Sequence, residues 1–336
     1  MSSPRYAKTI ESACDGDHLA IWGLAGQAQI DAVLTALLAE REVRGSRVPV
    51  VSLLMRSRED GEWIERAITW LSARGRRVIV RTRVVMPRAV VSALAQAHRG
   101  QTGAIVELEL AHHKPAIQRA LLSIPPPLLA IPRPLLAIPP PLLAIPRPLM
   151  ATLPSSTARA GDEPDPAAAL LLQAQHLETL ELPVVARLAP LLPGVHDQPS
   201  GFTPLLRNLV AADVRHVVVE PGHLHSRQLR KLIAVQRELS VQSLIELARA
   251  YSVDPMVVLG GAKLESDDVV YKLKPRRAQV FAHGLEHLAR EHDRGALKLP
   301  SCGCRSHCEL MPGRASNGYG AGYESVMGRD LFAGLI

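Results

Sequence analysis

The densest group of reactive side chains is Cys302-Gly303-Cys304-Arg305-Ser306-His307-Cys308. Thiolates are soft and anionic, and three within a short loop can wrap one metal ion or cluster. Gly303 would let that loop turn tightly. The Cys-x-Cys-x3-Cys spacing is not a standard zinc pair. Cys302, Cys304 and Cys308 are therefore the candidate metal ligands, for an iron–sulfur cluster or, alternatively, for zinc, against a reading as three reduced thiols in a flexible tail. The histidines are weaker candidates. His223 and His225 lie two apart, just past a predicted strand, which suits chelation but lacks an identified third ligand. His283 and His287 lie four apart on a predicted helix with Glu286 between them, which is not the His-Glu-x-x-His metal motif. His112 and His113 also follow a predicted strand. Gly260-Gly261 reads as a turn, with no phosphate-binding fingerprint around it.

These groups need a frame, and the texture of the chain supplies one. Short β-branched runs predict strands at 19–24, 48–54, 77–82, 104–110, 183–191 and 216–220. Helical periodicity fills the intervals: Ile30, Val33, Leu34, Leu37 and Leu38 share one face, as do Ile64, Ala67, Ile68 and Leu71, and then Val90, Val91, Leu94 and Ala95. Asp165-Pro166 reads as an N-cap with proline at the first helical position, opening a helix over 166–180. Further helices are expected near 203–212 and 226–238. The first units recur about every 27–29 residues, the length of a βα unit. The expected fold is α/β, with repeated βα units forming a full or partial (β/α) barrel. An open wound sheet has the same periodicity.

A proline-rich segment interrupts this pattern. Its register is LLSIPPP (121–127), LLAIPRP (128–134), LLAIPPP (135–141), LLAIPRP (142–148) and LMATLPS (149–155). Proline in every unit excludes a coiled coil and a membrane-spanning helix, and favours polyproline II. Near-identical copies are what tandem duplication leaves. Docking of Pro-x-x-Pro to an aromatic groove is the functional counter-reading. The expected organisation is a tail over 1–18, an α/β domain over 19–239 interrupted by the repeat and linker at 121–164, a helical extension over 240–300 with a possible strand at 269–273, and a Cys/Gly-rich flexible tail over 301–336.

Residues 182–220 carry a resemblance. LPVVARLAPLLPGVHDQPSGFTPLLRNLVAADVRHVVVE resembles the later half of a radical SAM barrel, close to the spore photoproduct lyase and DNA repair photolyase-like branch. In that branch a strand ends in Ala-Pro-x-x-Pro-Gly-x-x-Asp, matched here by Ala189, Pro190, Pro193, Gly194 and Asp197. Residues 48–83 and 104–121 are similar to the preceding units. The resemblance implies a 4Fe–4S cluster, S-adenosylmethionine as cofactor or small-molecule partner, and Pro193, Gly194 and Asp197 at the cofactor site. The family's Cys-x3-Cys-x2-Cys loop is absent: the N-terminal part holds Cys14 alone. The turn Arg56-Ser57-Arg58-Glu59-Asp60 also departs from the branch's Thr-Asp-x-Tyr pattern. A late start or a diverged N-terminal region would explain both. The resemblance thus implies a radical SAM-type enzyme or a degenerate relative without the cluster.

Composition bounds the rest. The 336 residues are 47% hydrophobic and 21% charged, as in globular proteins. With 3% aromatics, the core is expected to be aliphatic. A formal charge of +7 permits an anionic partner, including nucleic acid, but no aromatic-basic interleaving marks a base-stacking surface. The basic groups Arg74, Arg76, Arg77, Arg81 and Arg83, and Lys272, Lys274, Arg276 and Arg277, read as solvated faces. A binding or scaffold protein that uses the repeat or the basic surface is the alternative function. With no secretory signal and no apolar span, a reducing cytoplasm and no membrane are expected.

Overall fold

A computed structural model describes residues 7–12, 16–24, 29–43, 50–100, 102–122, 165–197, 199–259 and 269–293. The elements in order are β1 (Ala7–Ser12), β2 (Gly16–Ile21), α1 (Ile30–Val43), β3 (Val50–Met55), α2 (Gly61–Ser72), β4 (Arg77–Thr82), α3 (Arg88–Arg99), β5 (Ala104–Leu110) and α4 (Pro115–Leu122). After the repeat come α5 (Pro166–Thr179), β6 (Val184–Leu191), α6 (Pro199–Ala211), β7 (His216–Pro221), β8 (Leu224–His225), α7 (Ser226–Ala234), α8 (Val241–Tyr251), α9 (Pro255–Val258), β9 (Val270–Tyr271) and α10 (Pro275–Asp293).

The main sheet runs β1-β2-β3-β4-β5-β6-β7. From β2 to β7 every neighbouring pair is parallel, so six parallel strands follow one another in chain order. β1 adds an antiparallel edge, with Ala7 opposite Ile21 and Ser12 opposite Gly16. This corrects the expectation of a tail over 1–18. Asp15-Gly16 is a hairpin signal, but the polar content of AKTIES hides its strand character. Among the described residues no ladder joins β7 to β1 or β2, so a closed barrel is not seen.

Strand alternation sorts the side chains onto two faces. One face carries Val51, Leu53, Met55, Val78, Val80, Val106, Leu108, Ala186, Leu188 and Val217, packed with α1, α2, α3, α5, α6 and α10 in the main core. That core is almost wholly aliphatic; Trp63 and Phe202 are its largest fully buried side chains. On the other face Val50, Ile79, Ile105 and Val185, with Val218 against them, form a small cluster of strand residues.

A second core gathers Ala111, Ile117 and Leu121 with Leu192, Val195, Leu224, Leu229, Leu232, Leu244 and Leu247. It joins α4, α7 and α8 to the turns that follow β5 and β6. The helical extension is therefore built onto the α/β domain: α8 enters this core, and Phe281 and Leu285 of α10 enter the main one. Leu121 and Leu122 open the first heptad of the repeat, yet both lie in α4. The rest of the repeat lies outside the described residues. The expected helix over 226–238 ends at Ala234 and continues as a 3-10 turn over Gln236–Glu238.

Candidate functional site

Charged residues occupy the face of β4, β5 and β6 opposite the main core, in its C-terminal half. The residues at i and i+2 of a strand share a face, which sets Arg81 with Arg83 and Glu107 with Glu109. The ladder puts Arg81 opposite Glu107 and Arg187 opposite Glu109. Arg81, Glu107, Glu109 and Arg187 are all buried. Arg81 Nε donates to Glu107 Oε2 at 2.5 Å and lies 3.9 Å from Glu109 Oε1. Arg83 Nη2 stands 3.1 Å from Glu109 Oε2, and Arg187 Nη1 3.7 Å from Glu107 Oε2. Burial acts to lower the Arg81 pKa, but the two carboxylates outweigh it and hold the guanidinium firmly charged. Arg83 Nη1 also donates to the carbonyl of Leu122, tying the network to the end of α4.

Arg56 stands just past β3, beside this network. Its guanidinium carbon lies 5.6 Å from the centre of the Trp22 ring. Asp60 fixes the local backbone: its Oδ2 accepts from the amides of Arg56 and Ser57 at 2.8 and 2.9 Å, and its Oδ1 from Trp63 Nε1 at 3.0 Å. Burial and then the neighbouring Arg83 push the Arg56 pKa down. The reading of Arg81 and Arg83 as part of a solvated basic face is thereby corrected. The signal was in the sequence: charges at alternate positions of RVIVRTR and AIVELEL, inside otherwise apolar strands, mark one polar strand face.

Three histidines collect beside this network, where β5 and β6 end. Gln118 Oε1 accepts from the amides of Ala111 and His112, both at 2.7 Å, and so bends the chain after β5. The rings of His112 and His113 stack at 4.4 Å, and His196 meets His112 edge-on at 5.5 Å. His196 Nδ1 accepts from the Leu192 amide at 2.9 Å, which leaves Nε2–H to donate to the Ala111 carbonyl at 2.5 Å. Burial pushes the His196 pKa down to about 4 and the His112 pKa down to about 2, so both rings are neutral at pH 7.

The structure places the expected site residues as follows. Pro193, Gly194 and Asp197 form a turn directly after β6. Gly194 has φ +82°, and a Cβ there would meet the Ser243 carbonyl oxygen at 2.4 Å. Asp197 Oδ1 accepts from the Gly194 amide at 2.8 Å. Gly194 thus brings the turn against α8, and Asp197 closes the turn from within. Cys302, Cys304 and Cys308 lie outside the described residues, as do Cys14 and Gly260-Gly261. His225 lies at the end of β8, in an antiparallel pair with β9, and His223 beside it is exposed. His283 and His287 are both exposed on α10. Among the described residues no group of three or more His, Cys, Asp or Glu side chains could hold a metal ion. No helix of the described residues is long and apolar enough to cross a membrane.

No protein-family model matches the chain, and no curated protein or solved structure matches it either. An iron–sulfur cluster requires thiolates, whereas the donors on the strand face are guanidiniums and carboxylates paired with one another. The chain's four cysteines all lie outside the described residues.

Proposed function

We propose that this chain is a ligand-binding relative of the radical SAM barrels that lacks the family's cluster loop. One observation carries the reading: six parallel strands follow in chain order, with the packed helices on one face and charged side chains on the other, toward the strand C-termini. Consecutive right-handed βα crossovers put helices on one side and curve the sheet toward a partial barrel, and such sheets bind ligands at the C-terminal ends of their strands. The complete burial of Val50, Ile79, Ile105 and Val185 in a cluster of strand residues supports that curvature. The Ala189–Asp197 segment, where β6 ends and turns, supports the family reading.

Anaerobic reconstitution with iron and sulfide, followed by S-adenosylmethionine binding, tests it. The expected result is S-adenosylmethionine binding by equilibrium dialysis without the broad ~400 nm absorbance of a thiolate-bound cluster. Absorbance together with reductive cleavage of S-adenosylmethionine would replace this reading with the catalytic one, in which Cys302, Cys304 and Cys308 hold the cluster. Neither binding nor absorbance would overturn both.

A further inference from the structure

Arg56 and Arg83 stand one residue on from the Met55–Thr82 pair of the β3–β4 ladder, and the Arg83 amide bonds back to the Met55 carbonyl at 3.4 Å. Two like charges are thus held side by side on adjacent strands, which costs stability unless an anion lies between them. Glu109 partly fills that role: it pairs with Arg83 at 3.1 Å and lies 3.9 Å from Arg81. Asp60 also acts on Arg56 through its charge, but its oxygens bond the Arg56 and Ser57 amides and the Trp63 indole rather than a guanidinium. Donors are left over. Arg56 Nε and Nη2, Arg81 Nη2 and Arg83 Nε are buried and have no hydrogen-bond partner among the described residues. Arg81 is only 7% exposed, and buried guanidinium donors without acceptors are costly.

We propose that Arg56, Arg81 and Arg83 form a binding site for an oxyanion, the phosphate or carboxylate group of a small-molecule ligand. Guanidiniums present planar pairs of N–H donors that match such oxygens two at a time. Glu107 and Glu109 hold Arg81 and Arg83 in place from one side, and Trp22 supports Arg56. An oxyanion reaching the Arg56–Arg83 pair would relieve their repulsion and satisfy donors the protein leaves open. The site stands on these residues alone, whether or not the chain binds S-adenosylmethionine.

The test uses the full chain, with thermal unfolding followed by circular dichroism at constant ionic strength while inorganic phosphate or malonate replaces chloride. Tm should rise saturably with at least one of them. A response to phosphate alone assigns a phosphate ester, malonate alone a carboxylate, and both an unselective oxyanion site. Arg56→Gln and Arg83→Gln should each weaken the apparent affinity by about tenfold or more, the loss of a charge-assisted hydrogen bond. Arg74→Gln, which alters an exposed guanidinium stacked on Trp70 at 3.7 Å, should leave the affinity unchanged. If Arg83→Gln fails to fold, Arg56→Gln decides, because the open donors of Arg56 make its loss tolerable to the fold. No saturable rise with either anion, or an unchanged affinity in Arg56→Gln, would overturn the proposal.

Discussion

Arg81 and Glu107 meet at 2.5 Å across the β4–β5 ladder, both buried on the strand face opposite the main core. A pair in this position fixes the network around it, because neither charge has solvent to fall back on. Glu107→Leu should remove the buried carboxylate that Arg81 and Arg187 face and destabilise the fold by roughly 3–5 kcal/mol. Replacing both partners, as Arg81→Met with Glu107→Leu, should recover part of that loss. Urea denaturation of the two variants measures the difference. A single-variant loss under about 1 kcal/mol would mean that the pair does not sustain the sheet.

Gly194 is held at positive φ against α8. Gly194→Ala should cost roughly 1–3 kcal/mol from backbone strain, and more from the clash with the Ser243 carbonyl. Asp197→Ala should cost about 1 kcal/mol, the value of the hydrogen bond it accepts from the Gly194 amide. Thermal unfolding should therefore rank Gly194→Ala below Asp197→Ala; the reverse order would argue against close packing of the turn on α8.

Acid should destabilise the protein earlier than its carboxylates alone would. His112 and His196 have folded pKa values of about 2 and about 4, below the unfolded histidine value near 6.5. Burial also lowers His113, His223 and His225. Between pH about 6.5 and 5 the unfolded chain therefore binds protons that the folded chain refuses, and stability falls with pH. Each fully refused proton contributes at most about 1.4 kcal/mol per pH unit. His196→Asn should flatten the slope of unfolding free energy in that window; an unchanged slope would remove His196 from the account.

Asp60 links the start of α2 to Trp63 and to the backbone of Arg56. Asp60→Ala should destabilise by roughly 1–3 kcal/mol, because it leaves the buried indole N–H and the Arg56 and Ser57 amides unsatisfied. A red-shifted Trp63 emission, recorded with Trp22 and Trp70 replaced by Phe, should accompany the loss.

Much of the frame was legible in the sequence. The apolar runs at 77–82 and 104–110 fall on β4 and β5, because buried parallel strands read as near-continuous hydrophobic segments. Helix periodicity found α1, α2 and α3 because each buries one face against the sheet. The hairpin strand β1 was not legible, since an edge strand has no need of an apolar run. The site was half-legible. Glu107 and Glu109 sit visibly at alternate positions, but their partners lie on other strands, and that pairing depends on ladder register. Arg81 and Arg83 were misread because a count of nearby basic residues says nothing about which strand face they occupy. The cysteines carried the clearest chemical signal and lie outside the described residues, whereas the polar strand face carries no motif at all.

Helix α4 ends with Leu121 anchored in the second core, and α5 opens at Asp165. Asp165 accepts from the Ala167 amide at 3.0 Å, and Pro166 presets the first turn of α5. Helix α5 therefore restarts from instructions written entirely on its own side. A variant lacking whole heptads between Leu122 and Asp165 should therefore keep the register of β5 against β6, because that register is set by residues on either side of the repeat.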